Sequence, residues 1–472
     1  MKTKYAIFGN TLETATRSAL AHLENLDCLP VAATASLDSL RSRLGRALTD
    51  ERIAPEQVVL ELVRDVDGGI VGSAGGRFFG WVIGGSLPAA LAADWLAAAW
   101  DQNACLYAAG PAAAIVEEVA GRWLKEILGL PARASFAMVT GCQMAHVTCL
   151  AAARHAVLAG RGWDVEQRGL YGAPAIRILS SSERHGTIER ALRLLGLGRE
   201  QVTDLPVDPQ GRLEPNVLER ALQAVRPAPT IVLLQAGDVN IGAYDPFATL
   251  IPIARRHGAW VHVDGAFGLW AAASGRYRHL VEGVAEADSW ATDGHKWLNV
   301  PYDCGYAFVA DPEPHRASMS HRAPYLTHHA EARDPVDWTP ESSRRARGFA
   351  TYAALRQLGR NGVAALVERC SEHARSLVLR MGRLPGAEVV WEPVINQGLV
   401  RFLDPRTGAS DQDHDHRTDQ VIATILQTGE AFFGGTTWRG RRAMRVSVSN
   451  WQTSEDDVER VVNAVAGVLD RI

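Results

Sequence analysis

From Pro131 onward, short apolar runs rich in β-formers alternate with stretches of helical period, and that alternation leaves few folds open. The strand candidates are SFAMVTG, AIRILSS, TIVLLQAG, AWVHVDGAF, ADSWATDG and CGYAFVAD, separated by segments such as HVTCLAAARHAVLAG and PFATLIPIARRHG. Near-continuous apolar strands broken by helices predict an α/β fold whose mostly parallel sheet is covered by helices. Such a sheet places its chemistry in loops at the carboxyl ends of strands.

Around this centre the chain divides into three parts. Apolar positions recur at helical spacing from Leu12 to about Asp67, as in LDSLRSRLGRAL and VVLELVRDV, with Pro30 and Pro55 as breaks. We read 1–75 as an N-terminal helical segment. SAGGRFFGWVIGG marks a change of composition, followed by the Ala-rich helices PAALAADWLAAAWDQNA and AAAIVEEVAGRWLKEILGL. The large domain is read as 76–335. The stretch from Ala310 to about Arg345 has four histidines and no clear period, so it reads as a long loop of the kind that forms lids. Beyond SSRRARGFATYAALRQLGRNG, the runs GAEVVWEP, LVRFLD and RAMRVSVSN predict a smaller C-terminal α+β domain over 336–472. A chain of 472 residues exceeds what one core organises.

A formal net charge of −4 gives no reason to expect nucleic acid as a partner. No apolar run reaches the roughly 18 residues of a membrane helix, and the start lacks a secretory pattern. The six cysteines are scattered without CxxC spacing, as in a cytoplasmic protein with reduced thiols. The expected ligand is a small molecule.

Four strand ends carry polar groups: TGCQMAH at 140–146, SERHGT at 182–187, HVDGAFG at 262–268 and DGHKW at 293–297. Singly, each has an ordinary structural reading as a cap, a turn former or a solvated side chain. Together they match what an aldehyde cofactor such as pyridoxal phosphate requires. Lys296 can form a Schiff base, in a site that favours its unprotonated form. Asp264 can face the pyridine nitrogen and keep it protonated. His185 can stack on the ring, and Ala266 is small enough to lie against the opposite face. Gly141, Cys142 and Gln143, at a helix start, can offer backbone N–H groups to the phosphate.

This combination, in this order, resembles the group II pyridoxal-phosphate-dependent decarboxylases, which include aromatic-amino-acid, glutamate and histidine decarboxylases. The resemblance runs from about Phe78 to Asn450. Its most specific element is DGHKWLNVPYDCG, where the family has Asn or Asp, one residue, then His-Lys-Trp. The resemblance implies an aspartate aminotransferase-like fold (fold type I), with Lys296 as Schiff-base lysine, Asp264 at the pyridinium, Ala266 on one ring face and His185 on the other. It implies further cofactor contacts from Asp293 and His295, the latter serving either phosphate, substrate carboxylate or local structure. APYLTHH resembles a mobile family loop that brings a tyrosine over the substrate, here Tyr325; the alternative is a surface anchor. TGCQMAH is poorer in Gly, Ser and Thr than the family's phosphate loop, and Gly265 replaces a common Ala.

The implied reaction is decarboxylation of an L-amino acid to the amine and CO2. Phe78, Phe79 and Trp81 lie where relatives shape the substrate pocket, so an aromatic substrate comes first; core packing is their alternative role. Glutamate, a diamino acid or a non-protein amino acid stays open, as do aminotransfer, aldehyde formation and carbon–carbon lysis on the same fold. Relatives are homodimers with shared sites, and FFGGTTWRG at 432–440 is a candidate for that surface or an ordinary turn. The histidines at 315, 321, 328 and 329 and the run DQDHDH at 411–416 lack metal-ligand spacing, and no metal is expected.

Overall fold

The computed structural model describes residues 4–224, 228–324, 326–329 and 331–472. Each of the six apolar runs forms a strand. β1 (Ser135–Val139), β2 (Arg177–Ser181), β3 (Val202–Leu205), β4 (Thr230–Gln235), β5 (Trp260–Asp264), β6 (Ser289–Asp293) and β7 (Gly305–Val309) make one sheet in the order β1-β7-β6-β5-β4-β2-β3. β2 to β6 run parallel, and only β7 runs against its two neighbours. Every residue of β1, β4, β6 and β7 is buried, which is why these strands read as unbroken apolar runs. Edge strand β3, VTDL, exposes its two middle residues and carries no such signal.

Helices α1 (Lys4–Glu24), α2 (Leu37–Leu44) and α3 (Pro55–Val66) lead in, and α4 (Pro88–Trp100), α5 (Pro111–Ile127) and α6 (Cys142–Ala159) follow. The long helix Gly348–Met381 packs on α4 and α5; it bends at Gly359, whose φ of +61° no helix interior adopts. A second, antiparallel sheet contains β8 (Ala387–Trp391), β9 (Gln397–Phe402), β10 (Gly434–Trp438) and β11 (Arg441–Ser447), in the order β10-β11-β9-β8. The stretch 432–440 is thus mostly a hairpin strand, turning through Arg439 and Gly440, both at positive φ.

The region from Ala310 to Arg345 departs from the expected long loop. Asp311 caps the helix Pro312–Met319, its side chain accepting from the Glu313 N–H. That helix buries His315, which bonds Ser135 Oγ through Nδ1 (2.8 Å) and the Trp338 carbonyl through Nε2 (2.9 Å). The run DQDHDH likewise opens the helix Asp411–Thr428, and its Asp411 and Asp415 pair with the buried Arg401.

Candidate active site

The carboxyl ends of β1, β2, β5 and β6 lie along one edge of the sheet and open into a cavity of about 560 Å³. Lys296 reaches it from the turn after β6. Two features hold that turn. The Gly-rich run 80–85 passes directly against it: a Cβ on Gly84 would sit 1.9 Å from the Lys296 carbonyl oxygen. Asn299, at φ +54°, accepts from the Gly85 N–H (2.8 Å) and the Trp451 N–H (3.0 Å), and donates to the Trp297 and Ser449 carbonyls. One side chain therefore ties the lysine turn to both flanking parts of the chain.

Asp293, buried at the end of β6, organises the charges. Its Oδ1 accepts the Cys142 N–H at the start of α6 (2.5 Å), and its Oδ2 lies 2.9 Å from Lys296 Nζ. Burial by itself would lower the Lys296 pKa, but Asp293 outweighs it and holds the amine well above its ordinary value. The sequence led us to expect a lysine poised in its neutral form; the Asp293 pair instead favours the ammonium. His295 accepts the Cys304 N–H at Nδ1 (3.1 Å), points Nε2 at Asp293 (3.4 Å) and stacks on Tyr302. Burial lowers its pKa, leaving a neutral ring.

Asp264 lies at the end of β5, with Oδ1 accepting the Ala266 N–H at 3.1 Å. Burial pushes its pKa up, but His146, then His185 and Lys296, more than reverse this and keep the carboxylate ionised. His185 caps the helix Gly186–Leu194, its Nδ1 accepting from the Thr187 N–H, while its ring remains exposed towards the cavity. Although the ring is open to the cavity, the surrounding walls withdraw enough water from it to lower its pKa.

These groups fit pyridoxal phosphate. The carboxylate suits a protonated ring nitrogen, the imidazole and Ala266 line the same cavity, and Lys296 supplies the amine. At the phosphate end the fit differs from expectation. The Cys142 N–H is already engaged by Asp293, and the Gln143 amide donates to the Thr187 carbonyl (3.2 Å), leaving its buried Oε1 without a protein partner. Gly141 lies against His295 and Asp293.

Of the sequence candidates, Gly141, Cys142, Gln143, His185, Asp264, Ala266, Asp293, His295, Lys296 and Trp81 all line this one cavity. Phe78 and Phe79 do not. Phe78 stacks on Phe432 and Phe79 packs on Phe433, both buried, so packing replaces the substrate contact expected of them. Tyr325 lies outside the described residues. Tyr302, inside the most specific motif, and Arg445 also line the cavity, and the sequence reading assigned neither of them to the site. Among the described residues, the one close group of potential metal ligands is Cys142, His146 and Asp264, which lies at this site and not in the histidine-rich stretches.

Comparison with known proteins bears on the family and the fold. The pyridoxal-dependent decarboxylase conserved domain matches residues 41–403. An aromatic-L-amino-acid decarboxylase of Bacillus atrophaeus is 24% identical over 461 residues, 96% of this chain and 93% of the relative. A cysteine sulfinic acid decarboxylase of Homo sapiens is 26% identical over 381 residues, 79% of this chain and 76% of the relative. The crystal structure of Oryza sativa TDC with PLP and tryptamine superposes with a TM-score of 0.92 at 24% identity, covering 100% of this chain and 99% of that one. At that identity the superposition speaks for the fold.

Proposed function

The chain belongs to the pyridoxal-dependent decarboxylase family, and from that premise we propose that it converts an aromatic L-amino acid to the corresponding amine and CO2. Membership makes it a carboxy-lyase that works with pyridoxal 5′-phosphate. The observation that carries the aromatic reading is Trp81. It stands on the cavity wall 57% exposed, at φ +52°, a backbone conformation that a bulky residue adopts only where its surroundings enforce it. Tyr302 and Phe267 line the same space.

When bound, pyridoxal phosphate supplies an aldehyde for amines and a ring that accepts the electrons released as CO2 departs. The chain supplies the rest. Asp264 would meet the ring nitrogen with a negative charge, in a buried setting where that charge acts strongly. Asp293 Oδ2 holds the Lys296 ammonium in an ion pair at 2.9 Å. His185 and Ala266, on the walls of the same cavity, would hold the ring between them. Trp81 orients the side chain of the substrate, and Tyr325 returns a proton to Cα.

A second reading, an acidic substrate, has Arg445 in its favour: it lines the cavity and donates one guanidinium N–H to the Val239 carbonyl (3.1 Å). CO2 release across aromatic, acidic, basic and non-protein amino acids, with wild type and Trp81→Ala, separates the two. The aromatic reading expects release from an aromatic substrate and about a tenfold rise in its KM in the variant. Release from acidic substrates alone, with Trp81→Ala unaffected, overturns it.

The same proposal includes a homodimer with shared sites in a reducing, cytoplasmic setting. Leu12 and Leu20 of α1 and Leu60, Leu62 and Val63 of α3 are exposed, an apolar surface suited to a second copy. Arg322 and His328 line a separate cavity that shares no residue with the lysine's own. All six cysteines are free.

A further inference from the structure

Behind Asp264 the buried side chains stand in single file. His146 Nε2 lies 3.5 Å from Asp264 Oδ2 and 3.4 Å from Cys142 Sγ. His146 Nδ1 lies 2.9 Å from His262 Nε2, and His262 Nδ1 lies 2.9 Å from Ser289 Oγ. Ser289 Oγ in turn lies 3.0 Å from the indole Nε1 of Trp260. His146, His262 and Ser289 are wholly buried and come from α6, β5 and β6, so this file exists only once helix and strands are packed.

The far end sets its direction. An indole nitrogen can only donate, so Ser289 Oγ accepts from Trp260 and its own hydrogen can pass to His262 Nδ1. A neutral imidazole that accepts at Nδ1 carries its hydrogen on Nε2, which here faces His146 Nδ1. The same rule puts the His146 hydrogen on Nε2, facing Asp264 and the neighbouring sulfur. Burial opposes a second proton on His262, whose pKa is pushed down to about 3. Each link then holds one hydrogen, and all of them point towards the carboxylate. Protonating Asp264 to donate back would force both rings to exchange tautomers and the Ser289 hydroxyl to find another acceptor.

We infer that His146, His262 and Ser289 are positioning residues that fix Asp264 as an ionised, oriented acceptor for the ring nitrogen of the cofactor, a role that rests on the reading of the site given above. Their side chains act through Asp264. Because buried polar groups must be satisfied, a break at any link strands its neighbour as well.

The tautomers can be tested without cofactor. In protein labelled with nitrogen-15 at histidine, His146 and His262 should both carry hydrogen on Nε2, and His262 should not titrate between about pH 5 and 8. Hydrogen on Nδ1 of either ring, or titration of His262 in that range, overturns the inference. The second arm measures pyridoxal phosphate affinity by dialysis and the visible spectrum of the bound cofactor, in variants whose circular dichroism is native. His146→Leu should bind at least tenfold more weakly. His146→Gln, which can accept from His262 and donate to Asp264, should recover most of the affinity, and Ser289→Ala should lose about threefold. Wild-type affinity in His146→Leu, or no recovery in His146→Gln, contradicts the role. Wild-type protein that takes up no pyridoxal phosphate would instead fail the proposed reaction, and the tautomers would still judge the file.

Discussion

Lys296 Nζ lies 2.9 Å from Oδ2 of Asp293, three residues earlier in the same turn, while the other oxygen of that carboxylate accepts the first N–H of α6. One acid thus holds both the reactive amine and the helix start that would face phosphate. Removing its charge should lower the Lys296 pKa, because the attraction that offsets burial is gone. In Asp293→Asn the pH midpoint of cofactor attachment, followed by visible absorption, should move down by about one unit or more. An unmoved midpoint would mean that the pair does not control the lysine.

Gly84 tests how tightly the lysine turn is seated. A methyl group there meets the Lys296 carbonyl oxygen at 1.9 Å, and backbone cannot step aside cheaply. Gly84→Ala should cost about 1–3 kcal/mol of stability by denaturant unfolding and should lower cofactor content in the purified protein. Normal stability with full cofactor content would contradict the close approach.

Tyr325 carries the protonation step of the proposed reaction. Tyr325→Phe should bind cofactor normally and lose most amine output, with some product diverted to aldehyde, as read by chromatography of the reaction mixture. Unchanged amine output would remove Tyr325 from the chemistry.

Acid sensitivity has an identifiable source in His315, whose burial pushes its pKa down to about 3. The unfolded chain binds this proton near pH 6.5 and the folded chain does not, so the site's contribution is intact above about 6.5 and lost as pH falls towards 3. The slope is about 1.4 kcal/mol per pH unit for one proton. In His315→Gln, stability measured by urea unfolding between pH 4 and 6 should fall less steeply by about that amount. Equal slopes in the two proteins would show that His315 is protonated in the fold.

How much of this was legible in the sequence depended on how local the signal was. β1, β4, β6 and β7 were legible because burial on both faces writes itself as an apolar run. β3 and β10 were not, since VTDL and GGTTW are partly exposed and held by ladder bonds that composition does not encode. The helix Pro312–Met319 had its signal in Asp311 and Pro312, a cap followed by a first-turn proline, which the histidines around it obscured. In the site, Lys296, Asp264 and His185 were readable because strand ends converge wherever the sheet is parallel. The ammonium state of Lys296 was not, because it depends on where the Asp293 side chain turns. The His146 to Trp260 file was invisible for a similar reason: α6, β5 and β6 are distant in sequence and meet only through packing. Phe78 and Phe79 misled because a paired aromatic reads the same in a core as on a pocket wall.

The most direct test of the central claim is CO2 release by purified protein supplied with pyridoxal phosphate and an aromatic amino acid, run beside Lys296→Ala. Release by the wild type with little or none from the variant is the predicted result. Equal release from both, or none from either with any amino acid offered, would contradict it.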